Sequence, residues 1–361
     1  MLPALGVLLG LLLAPGAPPP AAPPAPPPAT PVIPATPPAV PPSPVVYAHP
    51  LRATATAMGA NIELEVRDLT QAGAQAAMEA AIAEMAEIER LTAVVRPDGA
   101  LAALNAAAGK GPRPADPRLL GALAKARDFC LWSEGKNGPL GRDLNSCWGV
   151  GAAEPPKTEP AADLVERAVA AAACGRLAID EKKGTVTLEA GGGLDLSDFA
   201  IGLAVDRAVE VLRQHGARNG FIQIGAVRRG FGAGRDGQGW LVELPAMAGL
   251  DSPVGRVVLH DQALAVASRA DHPLEIGGQT YSRYINQRTG RPSEGVLVTI
   301  AVTELAIDAQ AMAATLTVTG AQEGEMLMGS VRPRPSVLWL LGSGFGLPLL
   351  VEYRWSEVLK H

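Results

Sequence analysis

Aromatic residues are scarce in this 361-residue chain: five Phe, five Trp and four Tyr make up 4% of it. Stacking platforms for nucleic-acid bases are therefore few. Net charge is −5, with 31 basic and 36 acidic residues and no run of like charge, so the basic stripe of a nucleic-acid binder is missing as well. Cysteine is limited to Cys130, Cys147 and Cys174 with no CxxC pair, which excludes a cysteine metal framework and allows at most one disulfide. As small apolar thiols these residues read as buried; in an exported chain the pairing expected is Cys130–Cys147. The five histidines (49, 215, 260, 272 and 361) are scattered without metal-ligand spacing. The 40 glycines follow no three-residue period, which rules out a collagen-like chain.

Charge is absent altogether from the first 50 residues, since the first Lys, Arg, Asp or Glu is Arg52. The same stretch holds 18 of the 33 prolines. Its apolar run up to Leu13 suits a secretory h-region and is short for a membrane span. No Lys or Arg precedes that run, and no Cys follows it to which a lipid would be attached. From about Pro15 to Pro44 the chain reads as a polyproline-like spacer, with a reach of roughly 90 Å at about 3.1 Å per residue. The expected organisation is a signal-peptide-like segment at 1–17, a Pro-rich linker at 18–50 and a globular domain at 51–361. That organisation implies export, to the periplasm or cell envelope, with the membrane touched only through the N-terminal segment.

After residue 50 the chain is rich in aliphatics and mixed in charge, so it supports a core built mainly from Ala, Val and Leu. Alternation predicts a strand over 53–66 with Gly59 as a bend. Helical spacing predicts helices over 70–91, 99–106, 116–133, 160–173 and 199–215, and a last one over 307–318. Ser197 or Asp198 is the expected N-cap of the helix that stops before Gly216. Strands are expected at 175–180 and 184–189, through most of 219–303, and near 337–341 and 347–352. Strand runs mixed with long helices give an α+β class with mixed, largely antiparallel sheets packed against helices.

Three local constellations carry chemistry. Gly191-Gly-Gly193 before a helix is either an anion cradle or a tight strand-to-helix turn. Asp195 and Asp198 are either carboxylate ligands of a divalent cation or helix caps. Arg283, Arg288 and Arg291 either pair with phosphates or form a solvated face.

Taken in order, the segments resemble the FAD:protein FMN transferase family (ApbE). The carriers are Met58-Gly59, Arg96-Pro97-Asp98 with Leu101 and Leu104-Asn105, and Ser133-Glu-Gly135 with Pro139 and Cys147-Trp148-Gly149. Further on come Leu194-Asp195-Leu-Ser-Asp-Phe-Ala200-Ile-Gly202 to Asp206, Ile224-Gly225, and Tyr281-Ser282 with Arg288-Thr289-Gly290-Arg291-Pro292. The last helix, to Gly320, closes the set. The resemblance implies an ApbE-like fold and transfer of FMN from FAD to a Ser or Thr hydroxyl of an acceptor protein, with Mg²⁺ neutralising phosphate charge. It assigns flavin contacts to Met58, Val95, Lys136, Asn137, Gly138, Asp195, Ile201 and Tyr284. Metal positions fall on Asp198, Gln310 and Ala314, and the base for the acceptor hydroxyl on Arg283.

Several of those positions depart from the family pattern. Asp and Thr one helical turn apart are Gln310 and Ala314, and Asp308 points about 200° away around the helix. The His after Tyr-Ser is Arg283, which does not act as a base near neutral pH. The Lys of the Ala-Lys-Gly segment is Ile201, and the aromatic before Arg-Pro-Asp is Val95. Asn137-Gly138 replaces Phe-Asp, and Gly225-Ala226-Val227 replaces Gly-Gly-Asp. Frame residues match while chemical residues do not. The expectation is a family member whose transfer is impaired or lost; the alternative is a non-catalytic, envelope-associated interaction protein.

Overall fold

A computed structural model of the protein describes residues 51–154, 156–344 and 346–360. All of them lie in one of the chain's two units, Pro44–His361. The apolar leader and the Pro-rich linker, with the boundaries expected at 17 and 50, lie outside the described residues.

The seven α-helices of the described residues are α1 (Gln71–Thr92), α2 (Ala100–Ala106), α3 (Pro117–Trp132), α4 (Arg142–Trp148), α5 (Ala162–Ala171), α6 (Ala200–Gln214) and α7 (Ala306–Met328). Of these, α1, α6 and α7 pack against an eight-stranded sheet in the order 51–57, 60–66, 220–224, 227–231, 262–268, 296–303, 336–341, 349–353. Every neighbouring pair in it is antiparallel. The class is α+β with largely antiparallel sheets.

Strand periodicity explains the layers. In 262–268, Ala263, Ala265 and Ala267 face the core shared with the helices, while Leu264 faces a second core under the hairpin of Trp240–Leu244 and Gly255–Leu259. In 296–303, Ala301 looks toward α7, and Val298, Ile300 and Val302 look the other way. Small residues on one side let α7 lie close to the sheet, and larger ones fill the opposite side. Four of the five tryptophans, 148, 240, 339 and 355, are fully buried, so the scarce aromatics anchor cores rather than form binding platforms.

α1 starts at Thr70, whose hydroxyl accepts the Gly73 amide, and buries Ala74, Ala77, Met78, Ala81, Met85, Ile88 and Leu91 at helical spacing. α1 packs on α6, and α6 on α7. The helix expected over 307–318 ends where expected: within α7, Gly320 is non-helical at φ 77° and ψ 175°, and a second helical segment follows it to Met328. The strand expected over 53–66 is a hairpin instead, with Met58 and Gly59 as its two-residue turn at φ 57° and 72°. Both turn residues take the left-handed conformation that suits a tight hairpin, and Met58 gives no sign of this in the sequence. α4 was not expected: α2 is as short but rich in Ala and Leu, whereas the Asp, Asn, Ser and Cys of Arg142–Trp148 are weak helix formers.

The disulfide also differs from expectation. Cys130, near the end of α3, bonds to Cys174 in the turn after α5, with Cα atoms 5.9 Å apart. Cys147 is free. It sits on α4, where it lines a separate 660 Å³ cavity with Asp143, Ser146 and Arg167. Burial, and then Asp143, push its thiol pKa up. Among the described residues, no helix is long and apolar enough to cross a membrane.

Candidate functional site

The loop from Leu194 to Phe199 leads into α6, and three side chains build it. Asn105 of α2 holds its start, donating from Nδ2 to the Leu194 carbonyl (2.9 Å) and accepting the Leu194 amide at Oδ1 (2.6 Å). Asp195 accepts the Ser197 amide at one oxygen (2.8 Å) and Nδ2 of Asn145 at the other (2.8 Å). Its own amide donates to the Pro139 carbonyl at 2.8 Å. Asp195 is thus a loop-building residue whose two oxygens are both engaged. The expected caps differ: α6 begins after Phe199 without a side-chain cap. The reason is positional, since the helix starts at Ala200 and its cap position falls on Phe199, whose side chain has no acceptor, while Asp198 turns toward Arg283.

Asp198 Oδ1 lies 3.5 Å from Nη1 of Arg283. The Arg283 guanidinium lies 4.3 Å from the centre of the Tyr284 ring, and its Nη2 donates to the Tyr284 hydroxyl at 3.1 Å. Burial raises the Asp198 pKa, Arg283 opposes that rise and Asp195 adds to it. Burial also works against the Arg283 charge, but Tyr284 and Asp198 outweigh it and keep the guanidinium protonated. The Tyr284 hydroxyl is pushed up to about 12, chiefly by burial.

Asn137, Asn145, Asp195, Asp198, Arg283 and Gln287 surround a cavity of about 10 Å³, with Gly138 also in its wall. That is the room of one water. Gln287 donates from Nε2 to the Gly138 carbonyl (2.9 Å), and its Oε1 has no hydrogen-bond partner among the described residues.

Gln310 lies beside this cavity, not in it. Its Oε1 accepts the Gly202 amide at 2.7 Å, and its Nε2 donates to the Ser197 carbonyl at 2.9 Å. One carboxamide therefore satisfies a donor of α6 and an acceptor of the loop at once. Gly202 permits the approach, since a Cβ there would lie 2.4 Å from the Ala306 carbonyl oxygen and 2.5 Å from the Ile307 Cα. Ala314 is buried and contributes only a methyl group.

Magnesium, which the resemblance implies, calls for hard oxygen donors. Here Asp198 is paired with Arg283, both amide atoms of Gln310 are spent, and Ala314 has no donor. Asp308 lies on another face of α7, 2.7 Å from Lys125 Nζ. Among the described residues no group of three or more His, Cys, Asp or Glu is placed to hold a metal. The residues present do not fit the ion.

Of the other expected site residues, Lys136 is ion-paired with Glu323, and Asn137 donates to the Thr315 hydroxyl at 3.1 Å. Val95 is 89% exposed in its turn, Met58 occupies the hairpin turn, and Ile201 is half-buried in the first turn of α6. None of Met58, Val95, Lys136, Ile201, Tyr284, Gln310 or Ala314 lines the small cavity. Arg288 and Arg291 do not join Arg283; they pair at the surface with Glu134 (3.1 Å) and Glu159 (2.8 Å).

Asn145 and Gln287 are the polar side chains of the wall that reading the sequence missed. Both lie within or beside segments that carry the resemblance, but an uncharged carboxamide draws no notice there. Asp206 is the reverse case, a motif residue explained by structure. Its carboxylate accepts the Ala306 (2.8 Å) and Ile307 (3.0 Å) amides at the start of α7 and pairs with Arg229. Trp148 likewise ties two motif segments, its indole donating to the Gly290 carbonyl at 2.8 Å.

The comparisons agree with this frame. The model of the ApbE family matches residues 58–338. The chain is 28% identical over 271 residues to the FAD:protein FMN transferase of Rhodobacter capsulatus, covering 73% of this chain and 50% of that protein. It is 22% identical over 240 residues to the FAD:protein FMN transferase of Salmonella typhimurium, covering 65% and 69%. The chain therefore spans about half the length of the Rhodobacter relative. Among solved structures, the flavinyl transferase ApbE of Pseudomonas stutzeri superimposes with a TM-score of 0.76 at 18% identity, covering 86% of this chain and 97% of that one. The flavin transferase ApbE of Vibrio cholerae gives 0.75 at 20% identity, covering 87% and 100%. These two likenesses concern the fold alone. With the family model spanning most of the domain, the chain belongs to the ApbE family.

Proposed function

We propose that this chain is an ApbE-family protein in which magnesium-dependent transfer of FMN from FAD to an acceptor hydroxyl is lost, and that it uses the family fold to bind rather than to transfer. The observation that carries this reading is Gln310. Its carboxamide joins Ser197 to Gly202 by two hydrogen bonds, so loop and helix are held together by protein atoms alone. Arg283 supports the same reading from the other side of Asp198. A permanently protonated guanidinium neutralises that carboxylate and accepts no proton from an acceptor hydroxyl.

The test incubates the full-length protein with FAD, MgCl₂ and a family acceptor protein and weighs the acceptor by mass spectrometry. No covalent FMN above the enzyme-free background is expected. Acceptor carrying FMN would sink the proposal. A fluorescence titration with FAD, run with and without MgCl₂, separates two forms of the binding reading. Saturable quenching that ignores MgCl₂ identifies a nucleotide-binding protein. Its absence leaves an interaction protein whose partner is another macromolecule of the envelope.

Export belongs to the same proposal. The charge-free, Pro-rich first 50 residues support it, and so does the Cys130–Cys174 bond, since disulfides persist in oxidising compartments.

A further inference from the structure

We propose that the Cys130–Cys174 disulfide is an oxidation-dependent clamp on the loop 133–139, and that a dithiol opens it by attacking Cys174. The inference rests on the packing of that loop and stands whether or not the chain transfers FMN.

The loop lies directly on the disulfide. The Gly135 amide donates to the Cys130 carbonyl at 2.7 Å, and the Ser133 hydroxyl reaches the carbonyls of Cys130 (3.3 Å) and Asn137 (3.0 Å). Gly138 touches the cysteine itself: a Cβ built there would lie 2.5 Å from the Cys130 Cβ and 2.9 Å from its Sγ. No side chain separates this backbone from the sulfur. The far side of the loop is the wall of the cavity between Asp198 and Arg283, to which Asn137 and Gly138 both contribute. Gln287 ties that wall in place through the carbonyls of Lys136 and Gly138, both at 2.9 Å.

Two thiols do not remain at bonding distance. Once the bond is broken, Cys130 and Cys174 move apart, and Cys130, fully buried, has the backbone of Gly138 against it. Close-packed interiors transmit such a displacement instead of absorbing it. The loop is the element that yields, because hydrogen bonds and not a helix or sheet hold it.

Access is one-sided. Cys130 is fully buried, whereas Cys174 is half-buried and lines a 340 Å³ cavity together with Glu134, Gly135 and Arg288. A thiolate entering there bonds to Cys174 Sγ and breaks the link to Cys130, whose sulfur leaves as thiolate and takes a proton. The second thiol of the reductant, losing its proton, then bonds to the first sulfur and displaces Cys174. Two electrons and two protons pass from the dithiol, which ends as a disulfide, to the two cysteines. Cys147 does not interrupt the exchange: it faces the separate cavity on α4, and burial keeps it protonated.

Hydrogen exchange on the full-length protein, oxidised and then reduced with dithiothreitol, tests the clamp. Amides of 133–139 are expected to exchange at least about tenfold faster after reduction, while those of the main sheet do not change. The Cys130→Ser/Cys174→Ser variant is expected to behave as the reduced protein and to ignore dithiothreitol, and Cys147→Ser to keep the full response. Unchanged exchange at 133–139 in the reduced wild type overturns the proposal. So does a rise spread across the whole sheet, which would make the bond a general staple. The point of attack has its own readout. An aromatic disulfide reagent is expected to modify Cys174 in Cys130→Ser at least about tenfold faster than Cys130 in Cys174→Ser. The reverse order would show that the dithiol enters elsewhere.

Discussion

Gln310 shows how a single side chain can join a loop to a helix. A carboxamide carries one good acceptor and two donors, and here the acceptor meets a helix amide while a donor meets a loop carbonyl. Two such bonds contribute on the order of 1–3 kcal/mol together. Gln310→Ala is expected to lower stability by about that amount, read as a shift in the urea midpoint at unchanged slope. Wild-type protein is expected to melt at the same temperature with and without MgCl₂. The double variant Gln310→Asp/Ala314→Thr, which restores two oxygen groups one turn apart on α7, is expected to melt higher with MgCl₂ than without it. A magnesium-dependent rise in the wild type would overturn the argument from donor chemistry. Asp206 is the contrasting residue, because its carboxylate meets two amides of α7 as well as Arg229. Asp206→Ala leaves a buried arginine and two helix amides without their acceptor, and a loss of about 3–5 kcal/mol is expected in the same denaturation experiment. In the sequence these residues differ only as a motif match at Asp206 and a mismatch at Gln310. What they touch tells them apart: the first anchors the start of α7, and the second ties the Ser197 loop to α6.

At the scale of elements, the strand 60–66 holds a buried acid among three bases. Glu65 is 3% exposed and pairs with Arg52 across the hairpin (3.1 Å), Arg67 (2.7 Å) and Arg235 (2.7 Å). Burial pushes its carboxyl up, but Arg235, Arg67 and Arg52 outweigh burial and hold it below its ordinary value of 4.5. A carboxyl depressed in the folded state stabilises the protein above the unfolded value, and that stability is lost as pH falls through the folded one. Denaturation free energy measured from neutral pH downward is therefore expected to fall once pH passes below 4.5, and Glu65→Gln is expected to flatten this acid limb. An unchanged acid limb in the variant would assign the pH dependence to other carboxyls. The elements themselves were unevenly legible. α1 displays its period over 22 residues and starts at a Thr cap, so it was foreseen almost to the residue. The hairpin at Met58 was hidden because methionine rarely takes positive φ, and α4 because its Asp, Asn, Ser and Cys are weak helix formers. The end foreseen at 318 is met by the non-helical Gly320, and what was not foreseen is the second helical segment that follows it within α7.

The fold of the whole molecule was legible because it is written in many residues at once: glycines at close contacts, Asn105 and Asp195 in their loop, Trp148 between two motif segments. The state of the site was less so, since it depends on which partner each side chain chooses, and no spacing announces that Arg283 turns to Asp198. The cysteines follow the same rule. Their number was plain, but the pairing required α4 to carry Cys147 away and the turn after α5 to bring Cys174 to α3. That pairing bears on where the protein works. Disulfides persist mainly in oxidising compartments, so the Cys130–Cys174 bond and the charge-free first 50 residues both support the proposal of export. Thiol counts join the two ideas in one experiment on cells with an oxidising envelope. Full-length protein is expected in the envelope fraction with one thiol open to alkylation after denaturation, Cys147. Protein lacking the first 50 residues is expected in the cytoplasm with all three thiols open. Full-length protein recovered from the cytoplasm with three open thiols would break the link between leader, compartment and clamp.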